Sequence, residues 1–237
     1  MTDPQAAPLA ELASVLADKT RAAILLALLD GRAWTAGELA RHAEVAPSTV
    51  SGHLTRLAEA RFVTYYSQGR HRYVRITDPE VAELLENLTS RLDAPLPKVT
   101  SLKGSNRQRA LATARTCYDH LAGRLGVAVA DALVREKLVE VDEHPLVTGA
   151  GERWFAELGV DLGSLRGKRR PVLRECIDWT ERRPHLAGAA ASGLRETVTD
   201  RGWVVRVGDT RGMRVTEEGY GAFADLLGIT RQELMVG

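Results

Sequence analysis

The sequence has only two cysteines, Cys117 and Cys176, among 237 residues, which excludes the disulfide framework that staples small secreted folds. In a reducing compartment such a pair is more often structural, metal-binding or redox-active than cross-linked. Long apolar runs are also missing. The longest, Ala22 to Leu29, is far short of the roughly 20 residues that span a bilayer. Met1-Thr2-Asp3-Pro4 has neither the basic start nor the apolar core of a signal peptide, so a cytoplasmic protein without membrane partners is expected. An excess of one charge is absent too, since the net charge is +1. Finally, there is no P-loop, no GxGxxG after a strand, no HExxH and no GxSxG, so the chain is read as a non-enzyme with no catalytic residue.

What is present is 44% hydrophobic and 27% charged residues, the composition of an ordinary globular protein rather than a disordered or collagen-like one. The charge is unevenly spread. Between Arg41 and Arg75 six basic residues face two acids, a local basic stripe of the kind that nucleic-acid binding leaves, although a solvated helix face is the plainer reading.

Leu9, Leu12 and Leu16, then Ile24, Leu25 and Leu28, recur at helical spacing and predict two helices. Thr35 with Glu38 three residues on is a capping-box pattern opening a short helix, and Pro47 or Ser48 starts the next after a tight connection. In that helix Val50, Leu54 and Leu57 form the buried stripe. Ser48, Thr49, Ser51, Gly52, His53, Thr55 and Arg56 fall on or near the other face. Phe62 to Tyr66 and Arg72 to Ile76 read as a hairpin with a basic tip at Arg70, and a further helix runs from Asp78-Pro79 to Arg91. Helix, tight turn, helix and basic hairpin is the order of a winged helix-turn-helix, whose second helix enters the major groove while the wing, here Arg70 and Arg72, reaches phosphate.

Leu16-Ala17-Asp18-Lys19-Thr20-Arg21 with Ile24-Leu25, Ser48-Thr49-Val50-Ser51-Gly52-His53-Leu54 and Gln68-Gly69-Arg70-His71-Arg72-Tyr73 resemble the ArsR/SmtB family of bacterial transcriptional repressors. The resemblance covers about Leu9 to Leu92. It implies a homodimer on a pseudo-palindromic operator in double-stranded DNA, released by an effector, with the first helix and the helix after the wing at the dimer interface. Two positions where family members hold metals read Glu38-Leu39-Ala40-Arg41-His42 and Asp78-Pro79-Glu80-Val81-Ala82-Glu83. The first lacks cysteine and the second lacks histidine, so an effector site is expected in the C-terminal half.

That half contains an internal repeat. His120-Leu121-Ala122-Gly123 recurs as His185-Leu186-Ala187-Gly188, and Cys117-Tyr118-Asp119 is echoed by Cys176-Ile177-Asp178. Val147-Thr148 with Gly151 and Phe155 recurs as Val215-Thr216 with Gly219 and Phe223. The chain is therefore read as mainly α with small β-hairpins, an α+β protein. Residues 1–92 form a winged helix-turn-helix domain for DNA binding and dimerisation, 93–106 a linker, and 107–237 a sensor domain of two repeats, about 109–161 and 171–231. Cys117 and His120, three apart, are expected on one face of a helix, with Cys176 and His185 as the counterpart, a ligand set suited to zinc or another thiophilic ion. A small buried hydrophobe and a satisfied core histidine are the plainer alternatives. A small-molecule effector in a pocket lined by Trp154, Phe155, Trp179, Trp203 and Tyr220 is a second possibility, though sparse aromatics are usually core. Two readings from other classes stay open: a thiol-dependent redox protein or enzyme using Cys117 with His120, and a dimeric adaptor whose second half binds another protein.

Overall fold

The computed structural model describes residues 3–69, 71–92, 102–165, 171–208 and 210–235. The chain divides into two compact units, Met1–Leu85 and Glu86–Gly237. Among the described residues no helix is long and apolar enough to cross a membrane.

In the first unit, α1 (Ala6–Leu16) and α2 (Lys19–Leu28) are joined by a corner built on Asp18. Its carboxylate caps α2 by accepting the Arg21 N–H at 2.9 Å, while the Arg21 guanidinium donates back to the carbonyls of Val15 and Ser14 at 2.6 and 2.9 Å. One Asp-x-x-Arg spacing thus serves the orphan groups of two helix ends. β1 (Trp34–Thr35) leads into α3 (Ala36–His42), whose capping box is formed: the Thr35 hydroxyl accepts from the Glu38 N–H, and the Glu38 carboxylate accepts the Thr35 N–H at 2.8 Å. α4 (Pro47–Glu59) starts on proline and buries Val50, Leu54 and Leu57. β2 (Val63–Gln68) and β3 (His71–Ile76) pair antiparallel from Val63↔Ile76 to Gln68↔His71, and β1 joins β3 to give the sheet order β1-β3-β2. α5 (Pro79–Thr89) adds Ala82 and Leu85 to a core that includes Val15, Ile24, Leu39 and Phe62. The division between the units falls inside α5, so Glu86 onwards counts with the second.

In the second unit α6 spans Leu102–Thr113. Of the expected linker 93–106, residues 93–101 lie outside the described residues, and the chain is helical from Leu102. The run Gln108-Arg109-Ala110-Leu111-Ala112 consists of strong helix formers, and buried Leu111 anchors it. There follow β4 (Arg115–Cys117), β5 (His120–Ala122), α7 (Gly123–Arg135), β6 (Val139–Val141), β7 (Pro145–Val147), α8 (Gly149–Glu157) and the short α9 (Leu162–Leu165). The same hairpin, helix, hairpin, helix order returns as β8 (Arg174–Ile177), β9 (Pro184–Ala187), α10 (Ala189–Asp200), β10 (Val204–Arg206), β11 (Met213–Val215) and α11 (Glu217–Leu227), closed by α12 (Arg231–Met235). Packing is reciprocal. α7 lies on β9 and α10 lies on β5, over one shared core that includes Leu125, Leu133, Phe155, Val198, Val204 and Phe223.

The expected helical placement of Cys117 and His120 is wrong. They are partners across a two-residue turn, and Cys176 and His185 are partners across β8 and β9. The strand His120-Leu121-Ala122 is buried at every position, so it shows no alternation from which a strand period can be read. The helix begins only at the glycine. Gly123 and Gly188 have φ of 74° and 103°, and a Cβ on either would meet the carbonyl oxygen of Ala112 or Val172 at 2.7 Å, so both turns require glycine.

Candidate functional site

The first unit presents α4 as its polar face. Ser48, Thr49, Ser51, Gly52, Thr55 and Arg56 are exposed, opposite the buried Val50, Leu54 and Leu57. The hydroxyls of Ser51 and Thr55 donate to the carbonyls four residues back, Pro47 and Ser51, each at 3.1 Å. A Cβ on Gly52 would meet no atom within 4 Å. Glycine there answers no packing need inside the unit, yet it costs about 1 kcal/mol against alanine in a helix interior. His53 departs from the expected outward set. It sits beside the Leu57 edge of the stripe, its side chain is 19% exposed, and its Nδ1 lies 3.8 Å from the Asp18 carboxylate. On the wing, the Arg72 guanidinium lies over the Tyr65 ring at 3.4 Å from its centroid, which fixes the plane while leaving edge donors for an anion. Arg70 lies outside the described residues.

The second unit builds a different site where the two hairpins meet. Cross-strand partners project from one face of a hairpin, so each hairpin offers one cysteine and one histidine side by side. The Sγ atoms of Cys117 and Cys176 are 3.8 Å apart, and the Nε2 atoms of His120 and His185 are 3.1 Å apart. All four residues are buried, and their ligand atoms lie within 4.8 Å of one another. The two thiols share a hydrogen bond. That bond lowers the Cys176 thiol against its burial, helped by both imidazoles, and with burial and the charge of Glu86 it raises Cys117. Burial alone would lower His120, but the adjacent Asp119 carboxylate and Cys176 raise it.

Beside this cluster lies a buried ionic network. Arg115, fully buried, donates to the Leu111 carbonyl at 3.0 Å, the Thr180 hydroxyl at 3.1 Å and the Asp178 carboxylate at 2.9 Å. Asp178 also accepts the N–H groups of Gly123, Thr180 and Glu181. Burial would raise Asp178, but Arg115, Thr180, Glu181 and His185 together hold it well below the usual carboxylate range. Glu86 accepts from Trp179 Nε1 at 3.1 Å and Arg211 at 2.7 Å. Sequence reasoning missed Arg115 and Glu86. A signal existed: Arg115-Thr116-Cys117-Tyr118-Asp119 and Arg174-Glu175-Cys176-Ile177-Asp178 share an Arg-x-Cys-x-Asp spacing.

The aromatic pocket is corrected. Phe155 and Trp203 belong to the core with Trp154 and Tyr220 packed against it, while Trp179 stacks on Arg115. An open cleft of about 690 Å³ between Glu143–Val147 and Pro171–Glu175 contains none of the five.

A winged helix-turn-helix with an exposed, hydroxyl-rich second helix defines a DNA-binding protein class. The helix-turn-helix domain family matches residues 16–66. The chain is 42% identical over 222 residues to an uncharacterized HTH-type transcriptional regulator, YdfF of Bacillus subtilis, covering 93% of this chain and 97% of that protein. It is 40% identical over 80 residues to the HTH-type transcriptional regulator CmtR of Mycobacterium tuberculosis, covering 34% of this chain and 67% of CmtR. An NMR structure of the cadmium metal-sensor CmtR from the same organism aligns at 36% identity and a TM-score of 0.32, over 39% of this chain and 98% of that one. The chain belongs to the HTH-type transcriptional regulators, and its first unit folds as a winged helix-turn-helix.

Proposed function

We propose that this regulator is a homodimeric repressor that reads its operator with α4, is positioned by the wing, and is controlled by an effector acting on the second unit. The observation that carries the reading is the bare, small-residue face of α4, centred on Gly52 with open space in front of it. Short side chains let a helix sit deep enough for Ser48, Thr49, Ser51 and Thr55 to reach base edges, with Arg56 and Arg72 available for phosphate or guanine. Dimerisation is supported by α1, in which only Val15 is buried while Leu9 and Leu12 are 65% and 41% exposed, and by Leu84 of α5 at 40%. Two recognition helices about 34 to 36 Å apart are what a pair of half-sites requires. Shift assays on the DNA upstream of the regulator's own gene, at several salt concentrations, test the reading. Arg72→Ala is expected to weaken binding on all sequences alike and to reduce the salt slope by about 1, whereas Ser51→Ala is expected to relax discrimination between operator and random DNA. Equal affinity of the wild-type protein for both DNAs would refute sequence-specific reading.

A further inference from the structure

We propose that Cys117, His120, Cys176 and His185 bind one thiophilic divalent ion of the zinc class in a closed tetrahedral site that clamps the β4–β5 hairpin to the β8–β9 hairpin. The inference concerns the second unit alone and does not rest on the DNA-binding reading. Zinc–sulfur and zinc–nitrogen bonds of about 2.3 and 2.0 to 2.1 Å, at tetrahedral angles, place two sulfurs about 3.8 Å apart and two nitrogens about 3.3 to 3.4 Å apart. The observed separations are 3.8 Å between the sulfurs and 3.1 Å between the nitrogens. The widest spacing in the cluster, up to 4.8 Å, leaves a closing movement of about 1 Å for sulfur and nitrogen to share the ion.

Charge and hydrogen bonding favour the same occupant. Two thiolates neutralise a divalent cation and the imidazoles bind uncharged, so the loaded site carries no net charge in surroundings where each ligand residue is at most 3% exposed. Binding forms two metal–sulfur and two metal–nitrogen bonds and releases the thiol protons to solvent. Among the described residues, the buried Nδ1 atoms of both histidines find no hydrogen-bond partner. Each nevertheless faces a carboxylate: Asp119 lies 3.5 Å from His120 Nδ1, and Asp178 lies 3.7 Å from His185 Nδ1. Nε2 coordination makes both Nδ1 atoms N–H donors aimed at those carboxylates, the outer-shell arrangement that orients histidine ligands. Four protein ligands leave no open position, which marks a site that holds structure rather than one that activates water.

The test uses the full chain, purified reduced and without chelators. Elemental analysis is expected to find one zinc per chain. After metal removal, one equivalent of Co2+ is expected to give the intense visible bands of a tetrahedral centre with thiolate charge transfer in the near ultraviolet, both bleached by Zn2+. Zn2+ is expected to slow alkylation of the two cysteines at least about tenfold, as coordinated thiolates are occupied. Asp119→Asn keeps all four ligands, so it is expected to retain the stoichiometry and weaken affinity about 10 to 100-fold. It serves as the informative variant where Cys176→Ser fails to fold. A pale octahedral cobalt spectrum, alkylation indifferent to Zn2+, or recovery of Cys117 and Cys176 as a disulfide in protein that takes up no metal would overturn the site.

Discussion

Arg115 and Arg183 show how burial decides what one arginine is worth. Arg183 makes a two-pronged contact with Asp131 at 2.9 Å, but both side chains are about half exposed, so Arg183→Ala is expected to cost less than about 1 kcal/mol. Arg115 donates to Asp178 at 2.9 Å and stands 3.8 Å from Glu86, with every one of these side chains buried. Arg115→Met leaves carboxylates buried and short of a cation, and a loss of about 3 to 5 kcal/mol is expected in denaturant unfolding of the second unit. Gly52 carries an opposite expectation. Gly52→Ala fills open space in a helix interior, so the unfolding midpoint should rise by the equivalent of about 0.5 to 1 kcal/mol while operator affinity falls. A gain in both would remove the argument that the glycine is there for close approach to DNA.

Helix ends carry the testable energetics of the elements. α7 stops on Lys137, an exposed residue with φ of 55°, and the Leu138 N–H bonds back to Leu133. At the corresponding end of α10 the left-handed residue is Gly202, with φ of 71°. Lys137→Gly is therefore expected to stabilise by about 1 kcal/mol in thermal unfolding. Thr148 and Thr216 cap α8 and α11 by accepting the Gly151 and Gly219 N–H groups at 3.0 Å, and either threonine to alanine should cost about 1 kcal/mol. At α3 the Thr35 N–H, opposed by burial and aided by the Thr35 hydroxyl, lowers the Glu38 carboxyl. A lowered folded value means that this stabilisation is present above the unfolded value, about 4.3, and is lost as pH falls through the folded one. Glu38→Gln should flatten the acid limb of the stability profile. The starts of α3 and α4 were legible because such signals are local: Thr35, Glu38 and Pro47 announce themselves within four residues, whereas the capping role of Thr148 was not read and its Val-Thr pair looked like a strand. The hairpins were not legible. Cys117 and His120 are equally consistent with a shared helix face and with a cross-strand pair, and the deciding contacts come from residues about 60 positions away, Cys176 and His185. The Arg115 network was hidden for the same reason, since its partners Asp178 and Glu86 are remote in the chain.

On the scale of the whole molecule, the first prediction concerns assembly. Leu84→Glu places a charge on an exposed apolar position of α5 and is expected to give monomers by light scattering that bind operator DNA poorly. The second concerns the reciprocal packing of α7 on β9 and α10 on β5. Neither hairpin–helix set covers its own apolar face, so a fragment of residues 102–165 is expected to lack dispersed amide signals alone and to gain them when mixed with residues 171–235. That interlock also sets a timetable during synthesis. At roughly 5 to 20 residues per second, the ribosome adds His185 about 3 to 13 s after His120, 65 positions earlier. The winged domain has left the tunnel and can fold before then, whereas the β4–β5 hairpin must wait for β9 and α10 to pack against it. A newborn chain therefore passes through an interval in which its DNA-binding half is complete and its other half is still an open, apolar target for chaperones.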